Sequence, residues 1–164
     1  MCGIIGISSN KSVSSNIINS LKKLEYRGYD SAGVATLFDG EINEVKSEGR
    51  VDNLENNFDL KSLKGNIGIG HVRWATHGVP NSINAHPHSS DNVSVVHNGI
   101  IENSTILKKH LINKGHTFKS QTDTEVIVHL ITENLKIMEL EEAITKTLKQ
   151  LHGSFALGII FKDI

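Results

Sequence analysis

The only cysteine of the chain, Cys2, follows the initiator methionine directly. Methionine aminopeptidases usually remove Met before a small residue, and that removal would leave Cys2 with both a thiol and a free α-amino group. An α-amino group has a pKa of about 7.7–8.0, so it can accept the thiol proton and later protonate a leaving group. Nucleophile and base would then share one residue. A lone cysteine near an N-terminus is more often a small buried apolar side chain, so other residues must decide.

Three other polar sites could bind or activate a substrate. The guanidinium of Arg73 has the planar fork that pairs with a carboxylate through two hydrogen bonds, although an isolated arginine at a strand end is more often a solvated charge. Asn98-Gly99 is by itself a strong signal for a hairpin turn. Asp123 could pair with an ammonium group. However, Thr122 and Glu125 form a capping-box pattern, and an acid in the first helical turn is favoured without any ligand.

The nine histidines raise the question of a metal site, with His86 and His88 on either side of Pro87 and His77 nearby. Zinc sites need three or four ligands at recognisable spacing, often including cysteine. We therefore predict no metal and expect the His-Pro-His segment to shape a loop over a pocket. The run GNIGIG lacks the spacing and the following helix of a dinucleotide fingerprint, so no cofactor is predicted.

Composition limits the classes of function. The chain has 164 residues, 17 Lys plus Arg against 18 Asp plus Glu, and 38% hydrophobic residues. This charge balance argues against nucleic-acid and membrane partners. No apolar run approaches the length of a spanning helix, and the N-terminus lacks the basic region of a signal peptide. We therefore expect a cytoplasmic protein of one compact domain.

Hydrophobic periodicity predicts the elements that must position these residues. We expect a hairpin whose turn is Asp39-Gly40, a long loop over residues 75–92, and a strand that ends where Asn98-Gly99 begins. The predicted strands are 3–7, 33–38, 41–45, 65–74, 93–97 and 154–161, and the predicted helices centre on residues 13–24, 51–58, 106–111, 122–131 and 140–151. Because strands and helices are grouped rather than alternating, we predict an α+β fold with antiparallel sheets covered by helices.

Long motifs carry a family resemblance that the single residues do not. CGIIGI, EYRGYDSAG, GHVRWATHG, NAHPH, HNGIIEN and TDTEVI follow one another along the chain. In this order they resemble the glutaminase domains of the glutamine:fructose-6-phosphate aminotransferases, which are class II amidotransferases with an N-terminal nucleophile. The resemblance runs from Cys2 to about Phe161. It implies a four-layer αββα sandwich of the N-terminal-nucleophile hydrolase type.

The resemblance also implies a role for each motif residue. Cys2 would be the nucleophile, and Asn98 and Gly99 would form the oxyanion hole. The glutamine carboxylate would meet Arg73, and its ammonium would meet Asp123. The remaining residues implied are Trp74, Thr76 and His77 around the same pocket, and Arg27, Tyr29 and Asp30 as supporting groups beside Cys2.

The activity implied is hydrolysis of L-glutamine to glutamate and ammonia through a thioester on Cys2. In the family, a C-terminal sugar-isomerase module uses the ammonia to convert fructose 6-phosphate to glucosamine 6-phosphate, and we expect the parent to be homo-oligomeric. The chain stops at FKDI. We therefore expect residues 2–164 to be one glutaminase domain without that module. Two alternatives stay open: the glutaminase of another class II amidotransferase, or a catalytically silent binding domain that retains Met1.

Overall fold

Two antiparallel sheets form the centre of the molecule. The structure is a computed structural model, and it describes residues 2–75 and 78–162, apart from the side chain of Lys61. The strands are β1 Gly3–Ser8, β2 Ser31–Phe38, β3 Glu41–Glu48, β4 Ile67–Arg73, β5 His88–Ser89, β6 Val93–Ile101 and β7 Gly153–Phe161. The α-helices are α1 Ser14–Leu24, α2 Asp52–Asn57, α3 Ser104–Asn113, α4 Glu125–Leu135 and α5 Leu140–Gln150. Short 3-10 turns occupy Glu25–Arg27 and Leu60–Ser62.

The first sheet has the strand order β1-β4-β2-β3. The β2–β3 hairpin closes through Asp39 and Gly40, whose φ angles of 53° and 75° are the positive pair that a type I′ turn requires. This confirms the predicted hairpin. Strand β1 is antiparallel to β4, with Gly3 opposite Val72, so the residue before β1 lies next to the end of β4.

The second sheet has the order β5-β6-β7. Strand β6 does not end at His97 as predicted. It continues through Asn98 and Gly99, which lie opposite Ala156 and Phe155 of β7. The hairpin-turn interpretation of Asn98-Gly99 is therefore wrong, because pairing with a strand more than fifty residues away overrides the local turn preference.

Alternating side chains divide the core into three layers. Val34 of β2 and Val95 of β6 point outward, onto α1 and α4 respectively. Their neighbours Ala35 and Val96 point inward and pack between the sheets with Ile69 and Ile160. Because successive residues of a strand face opposite sides, each sheet contacts helices on one face and the other sheet on the second. This α+β arrangement with helices outside two antiparallel sheets confirms the predicted fold class.

The helices end close to their predicted limits. Apolar residues of α1, including Ile17, Ile18 and Leu21, are fully buried on the first sheet. Helix α4 is buried along Val126, Ile127 and Leu130, and α5 packs against it through a hydrogen bond from Asn134 to Thr147. Among the described residues, no helix is long and apolar enough to cross a membrane.

Candidate active site

Cys2 lies beside the end of β4, where the pairing of β1 with β4 places it. Its Sγ atom accepts a hydrogen bond from the Trp74 N–H at 3.2 Å and lies 3.4 Å from the Trp74 carbonyl oxygen. The residue is half-buried. Backbone groups therefore fix the sulfur at the edge of the molecule without a neighbouring acidic or basic side chain bonded to it in the described region.

Arg73 ends β4 and is buried, with 3% of its surface exposed. Its Nη2 donates to the Gly78 carbonyl at 3.1 Å, and Nη1 donates to the Val79 carbonyl at 3.4 Å. The Asp30 carboxylate lies 3.4 Å from Nη1. Arg73 is therefore not a solvated charge at a strand end, because these groups hold its guanidinium inside the structure.

Asp30 connects Arg73 to the segment that follows it. Its N–H donates to the Arg73 carbonyl at 2.8 Å, and its carboxylate accepts the Ser31 hydroxyl at 2.8 Å and the Ala75 N–H. Asp30 therefore braces both sides of Trp74, whose N–H contacts the Cys2 sulfur.

The other two residues predicted to support Cys2 lie further out. The Tyr29 ring is 41% exposed and lies 5.3 Å below the guanidinium carbon of Arg50. Arg27 ends the 3-10 turn that precedes Gly28. Neither residue lines the pocket that contains Cys2. Their supporting roles stay predictions.

Asn98 and Gly99 reach Cys2 from the second sheet. The Asn98 Nδ2 atom donates to the Cys2 carbonyl oxygen at 3.3 Å. Gly99 has a φ of 141°, and a Cβ atom there would lie 2.2 Å from the Ser154 carbonyl oxygen and 2.7 Å from the Phe155 Cα. Only glycine therefore allows β6 to pass β7 at this point, where its backbone lines the pocket.

Asp123 lies just before α4 and is 8% exposed. Its Oδ2 accepts the Ile101 N–H at 2.8 Å, and its Oδ1 is 3.9 Å from His97 Nδ1. One end of β6 thus orients the carboxylate, which faces the same pocket as Cys2.

The predicted capping box at Thr122 and Glu125 is wrong. Helix α4 begins at Glu125, and its N-cap residue Thr124 makes no side-chain cap bond. The Glu125 carboxylate instead accepts the backbone N–H groups of Lys119 and Ser120 at 2.8 and 2.7 Å. Burial raises the pKa of this carboxyl, but hydrogen bonds from His129, Lys119 and Ser120 outweigh burial and lower the pKa to about 2.

Buried histidines form one wall of the site. The His71 Nε2–H donates to the His97 carbonyl oxygen at 2.9 Å, and the His71 ring stacks on His86 with centroids 4.1 Å apart. Burial lowers the pKa of His71 and His88 to about 3 and that of His86 well below its usual value. These three imidazoles are therefore neutral near pH 7. His86 lines the pocket, His88 begins β5, and both side chains are buried, so the segment is a buried wall and not the predicted loop over the pocket.

These elements enclose a pocket of about 300 Å³, a size typical of sites for small molecules. Trp74 is 52% exposed at its edge. The lining residues are Cys2, Arg73, Trp74, His86, His97, Asn98, Gly99, Ile100, Thr122, Asp123 and Thr124. Six of the eleven residues predicted for the site line this pocket, namely Cys2, Arg73, Trp74, Asn98, Gly99 and Asp123. Thr76 and His77 lie outside the described residues.

Four lining residues were missed from the sequence, namely His97, Ile100, Thr122 and Thr124. A histidine inside an otherwise apolar strand, directly before Asn98-Gly99, was the available signal for His97. The two threonines flank Asp123, but the sequence pattern of Thr122 with Glu125 indicates a helix cap, and Thr124 has no signal of its own.

Comparison with known proteins places the chain in a family. The sequence model described as Glutamine amidotransferase domain matches residues 71–163, more than half of the chain. The chain belongs to the glutamine amidotransferase family. Relatives named glutamine–fructose-6-phosphate aminotransferase [isomerizing] include proteins from Mesorhizobium japonicum, 55% identical, and Pyrococcus horikoshii, 53% identical, each over 99% of this chain. The chain spans only 27% and 28% of the lengths of these two relatives.

Solved structures agree with the amidotransferase assignment. A glutamine phosphoribosylpyrophosphate amidotransferase from B. subtilis superposes with a TM-score of 0.86 at 32% identity, over 99% of this chain and 35% of that chain. A class-II glutamine aminotransferase domain protein from Silicibacter pomeroyi shares the fold, with a TM-score of 0.64 at 13% identity over 98% of this chain and 72% of that chain.

Proposed function

We propose that this amidotransferase domain hydrolyses L-glutamine through a γ-glutamyl thioester on Cys2. The observation that carries the proposal is the convergence of one sulfur nucleophile, amide donors, one guanidinium and one carboxylate on a single pocket. Each of these groups matches one part of glutamine. The family assignment makes glutamine the expected substrate, and the residue roles below are our proposals.

The first step is attack by the Cys2 sulfur on the side-chain carbonyl carbon of glutamine. Removal of Met1, a residue outside the described part of the chain, would free the Cys2 α-amino group to take the thiol proton. The same group would then protonate the departing ammonia. Water would hydrolyse the thioester to glutamate and restore the thiol, so one amide bond is broken with no change in redox state.

Asn98 and Gly99 are the proposed oxyanion donors. The Asn98 amide already lies within 3.3 Å of the Cys2 carbonyl oxygen, so it can turn toward a substrate oxygen held at the neighbouring sulfur. The Gly99 backbone lines the pocket and carries no side chain that would separate its N–H from the substrate. Donors fixed by a strand need little reorganisation when charge develops on the oxygen.

Arg73 and Asp123 are the proposed partners of the α-carboxylate and the α-ammonium. Both are at least nine-tenths buried, where a charge–charge hydrogen bond is stronger than in water. They approach the pocket from different sheets, since Arg73 ends β4 and Asp123 is tied to β6. Recognition of both charged groups would orient the side-chain amide toward Cys2.

We further propose that the ammonia serves synthesis of glucosamine 6-phosphate from fructose 6-phosphate in a longer, homo-oligomeric parent. The support is the name of the relatives and the fact that this chain spans about a quarter of their length. A C-terminal sugar-isomerase module would bind the sugar phosphate. We propose a cytoplasmic location because a single, unpaired cysteine fits a reducing compartment.

Ammonia release from glutamine tests the proposal. Purified chain should be checked first by intact mass, and only protein that has lost Met1 should be active. Cys2→Ala should abolish ammonia release. The melting temperature of the variant should equal that of the wild type, which would show that the fold is unchanged. Equal activity of the two proteins would reject the thioester, and activity in protein that retains Met1 would reject the α-amino group as the base.

A further inference from the structure

The His-Pro-His segment contacts the residues on both sides of Asp123. His86 Nε2 is hydrogen-bonded to Thr124 Oγ1 at 2.7 Å, and His88 Nε2 is hydrogen-bonded to Thr122 Oγ1 at 3.0 Å. Asp123 lies between the two threonines and reaches in another direction, to the Ile101 N–H. Two imidazoles two residues apart therefore bind two hydroxyls two residues apart.

Both contacts are buried and continue into further hydrogen bonds. Thr124 Oγ1 is also bonded to His97 Nδ1 at 2.9 Å, and Thr122 Oγ1 to the Ser120 hydroxyl at 2.9 Å. All of these side chains are at most 5% exposed. A threonine hydroxyl can donate one hydrogen bond and accept others, so it can serve two partners at once. The Thr-Asp-Thr segment is therefore fixed by side chains as well as by its backbone.

The two histidines suit a permanent rather than a titrating contact. Burial holds the pKa of His86 well below 6.5 and that of His88 at about 3. The groups that face them are the His71 ring, the guanidinium of Arg73, the ammonium of Lys46 and the carboxylate of Glu125. Near pH 7 both imidazoles are neutral, and their hydrogen bonds to the threonines do not require the imidazolium form.

We propose that His86 and His88 form a two-point clamp which, through Thr124 and Thr122, positions the Asp123 carboxylate for the α-ammonium of glutamine. This inference rests on the proposed function, because it assumes that Asp123 binds that ammonium. Under it, His86, His88, Thr122 and Thr124 are positioning residues. They act on substrate recognition without contacting the reacting carbonyl.

Loss of the clamp should weaken binding of the substrate ammonium alone, whereas a general loss of stability would affect every part of the site. Hydrogen bonds between charged groups depend on alignment, so a small displacement of Asp123 weakens binding of the ammonium specifically. Binding of the α-carboxylate at Arg73, on the other sheet, would be unchanged. A ligand that lacks the ammonium should therefore be insensitive to loss of the clamp.

The test compares glutamine with glutaramate, which has the carboxylate and the side-chain amide but no α-amino group. Thr124→Val keeps the shape of the side chain and removes the hydroxyl. We expect it to raise the KM of glutamine about 5- to 10-fold, the effect of losing one or two buried hydrogen bonds. The inhibition constant of glutaramate against glutamine hydrolysis should change less than about twofold, and kcat likewise. Thr124→Ser, which restores the hydroxyl, should return the KM close to that of the wild type.

Matched variants separate the possible failures. Thr132→Val removes another α4 hydroxyl, bonded to Ser90 and the Val128 carbonyl, and should leave both constants unchanged. If Asp123→Asn does not raise the KM of glutamine, the proposed substrate recognition itself is wrong. If Asp123→Asn raises it but Thr124→Val does not, only the clamp is refuted.

A general effect on the fold would also refute the clamp. Its signature is an equal rise for glutamine and glutaramate in Thr124→Val. If that variant does not fold, Thr122→Val applies the same comparison to the second contact, with the same expected difference between the two ligands.

Discussion

Replacement of Gly28 by alanine should move Trp74 away from the pocket edge. Gly28 has a φ of 113°, and a Cβ atom there would lie 1.9 Å from Trp74 Cε3 and 2.5 Å from Cζ3. A carbon pair needs about 3.5 Å, so the ring must shift by about 1.5 Å or more. The backbone N–H of the same tryptophan holds the Cys2 sulfur. The substitution should therefore affect both stability and glutamine hydrolysis.

Two separate costs contribute to the loss of stability. Gly28 has φ 113° and ψ 151°, a region essentially limited to glycine, and an L-residue there is disfavoured by about 1–3 kcal/mol. Overpacking adds about 1–3 kcal/mol, and we expect the lower end because the ring is half-exposed and can swing outward. The total is about 2–4 kcal/mol. For a chain of this length, each kcal/mol lowers the melting temperature by about 2–4 °C.

Gly115 supplies a matched control. Its φ is 94°, and a Cβ atom there would meet nothing within 4 Å. Gly115→Ala should therefore show the backbone cost alone, about 1–2 kcal/mol, with unchanged activity. In a Trp74→Ala background, the loss caused by Gly28→Ala should fall to its backbone cost alone, about 1–3 kcal/mol, because the clash is removed. Thermal and urea unfolding of the four variants, with ammonia release, measure this cycle. Equal losses for Gly28→Ala and Gly115→Ala, or no relief by Trp74→Ala, would refute the close approach of ring and backbone.

Three further outcomes follow from the site. Asn98→Ala should lower kcat for glutamine by about 10²–10³-fold if the Asn98 amide is an oxyanion donor. The control is Asn103→Ala, which should leave kcat unchanged because the Asn103 amide bonds only to Gln150 and His152 in the described structure. Similar kcat values for the two variants would show that Asn98 is not part of the oxyanion hole. Arg73→Lys keeps the charge but loses the planar fork, so steady-state kinetics should show a KM for glutamine raised about 10-fold or more, and an unchanged KM would argue against Arg73 as the carboxylate partner. Burial lowers the pKa of His71 and His88 to about 3, so between about pH 6.5 and 3 the unfolded chain binds protons that the folded chain does not. Urea unfolding should therefore show a free energy of unfolding that decreases as the pH is lowered through this range, by up to about 1.4 kcal/mol per pH unit for each histidine. His88→Gln should reduce that slope and exposed His110→Gln should not; a slope that His88→Gln leaves unchanged would contradict the buried, neutral state of His88.

Local patterns were enough where the local signal and the final packing agree. The Asp39-Gly40 turn formed because its strands are adjacent in sequence and nothing competes with the positive φ angles. The buried face of α1 followed from the helical spacing of Ile17, Ile18 and Leu21 against the first sheet. In such elements the sequence neighbours are also the structural neighbours.

Prediction of local structure failed where a contact with a segment distant in sequence decides the conformation of a residue. Asn98-Gly99 has turn chemistry, but β7 pairs with it and converts it to strand. Glu125 has the sequence pattern of a capping residue, but its carboxylate accepts hydrogen bonds from the backbone N–H groups of Lys119 and Ser120 instead. His97 could not be placed at all, since a buried histidine in a strand has the same pattern whether it supports a core or a pocket. The motifs of the proposed site follow from the long family strings and not from the chemistry of single residues.

The division of the site between two sheets has a practical consequence. Cys2 and Arg73 move with the first sheet, whereas Asn98, Gly99 and Asp123 move with the second, and small apolar side chains such as Ala35 and Val96 join the layers. Partial separation of the layers would leave every helix and strand intact and still move the proposed nucleophile away from its proposed amide donors. Enzymatic turnover should therefore respond to low denaturant before circular dichroism does, which makes the glutaminase reaction a sensor of how tightly the two halves of the sandwich are held together.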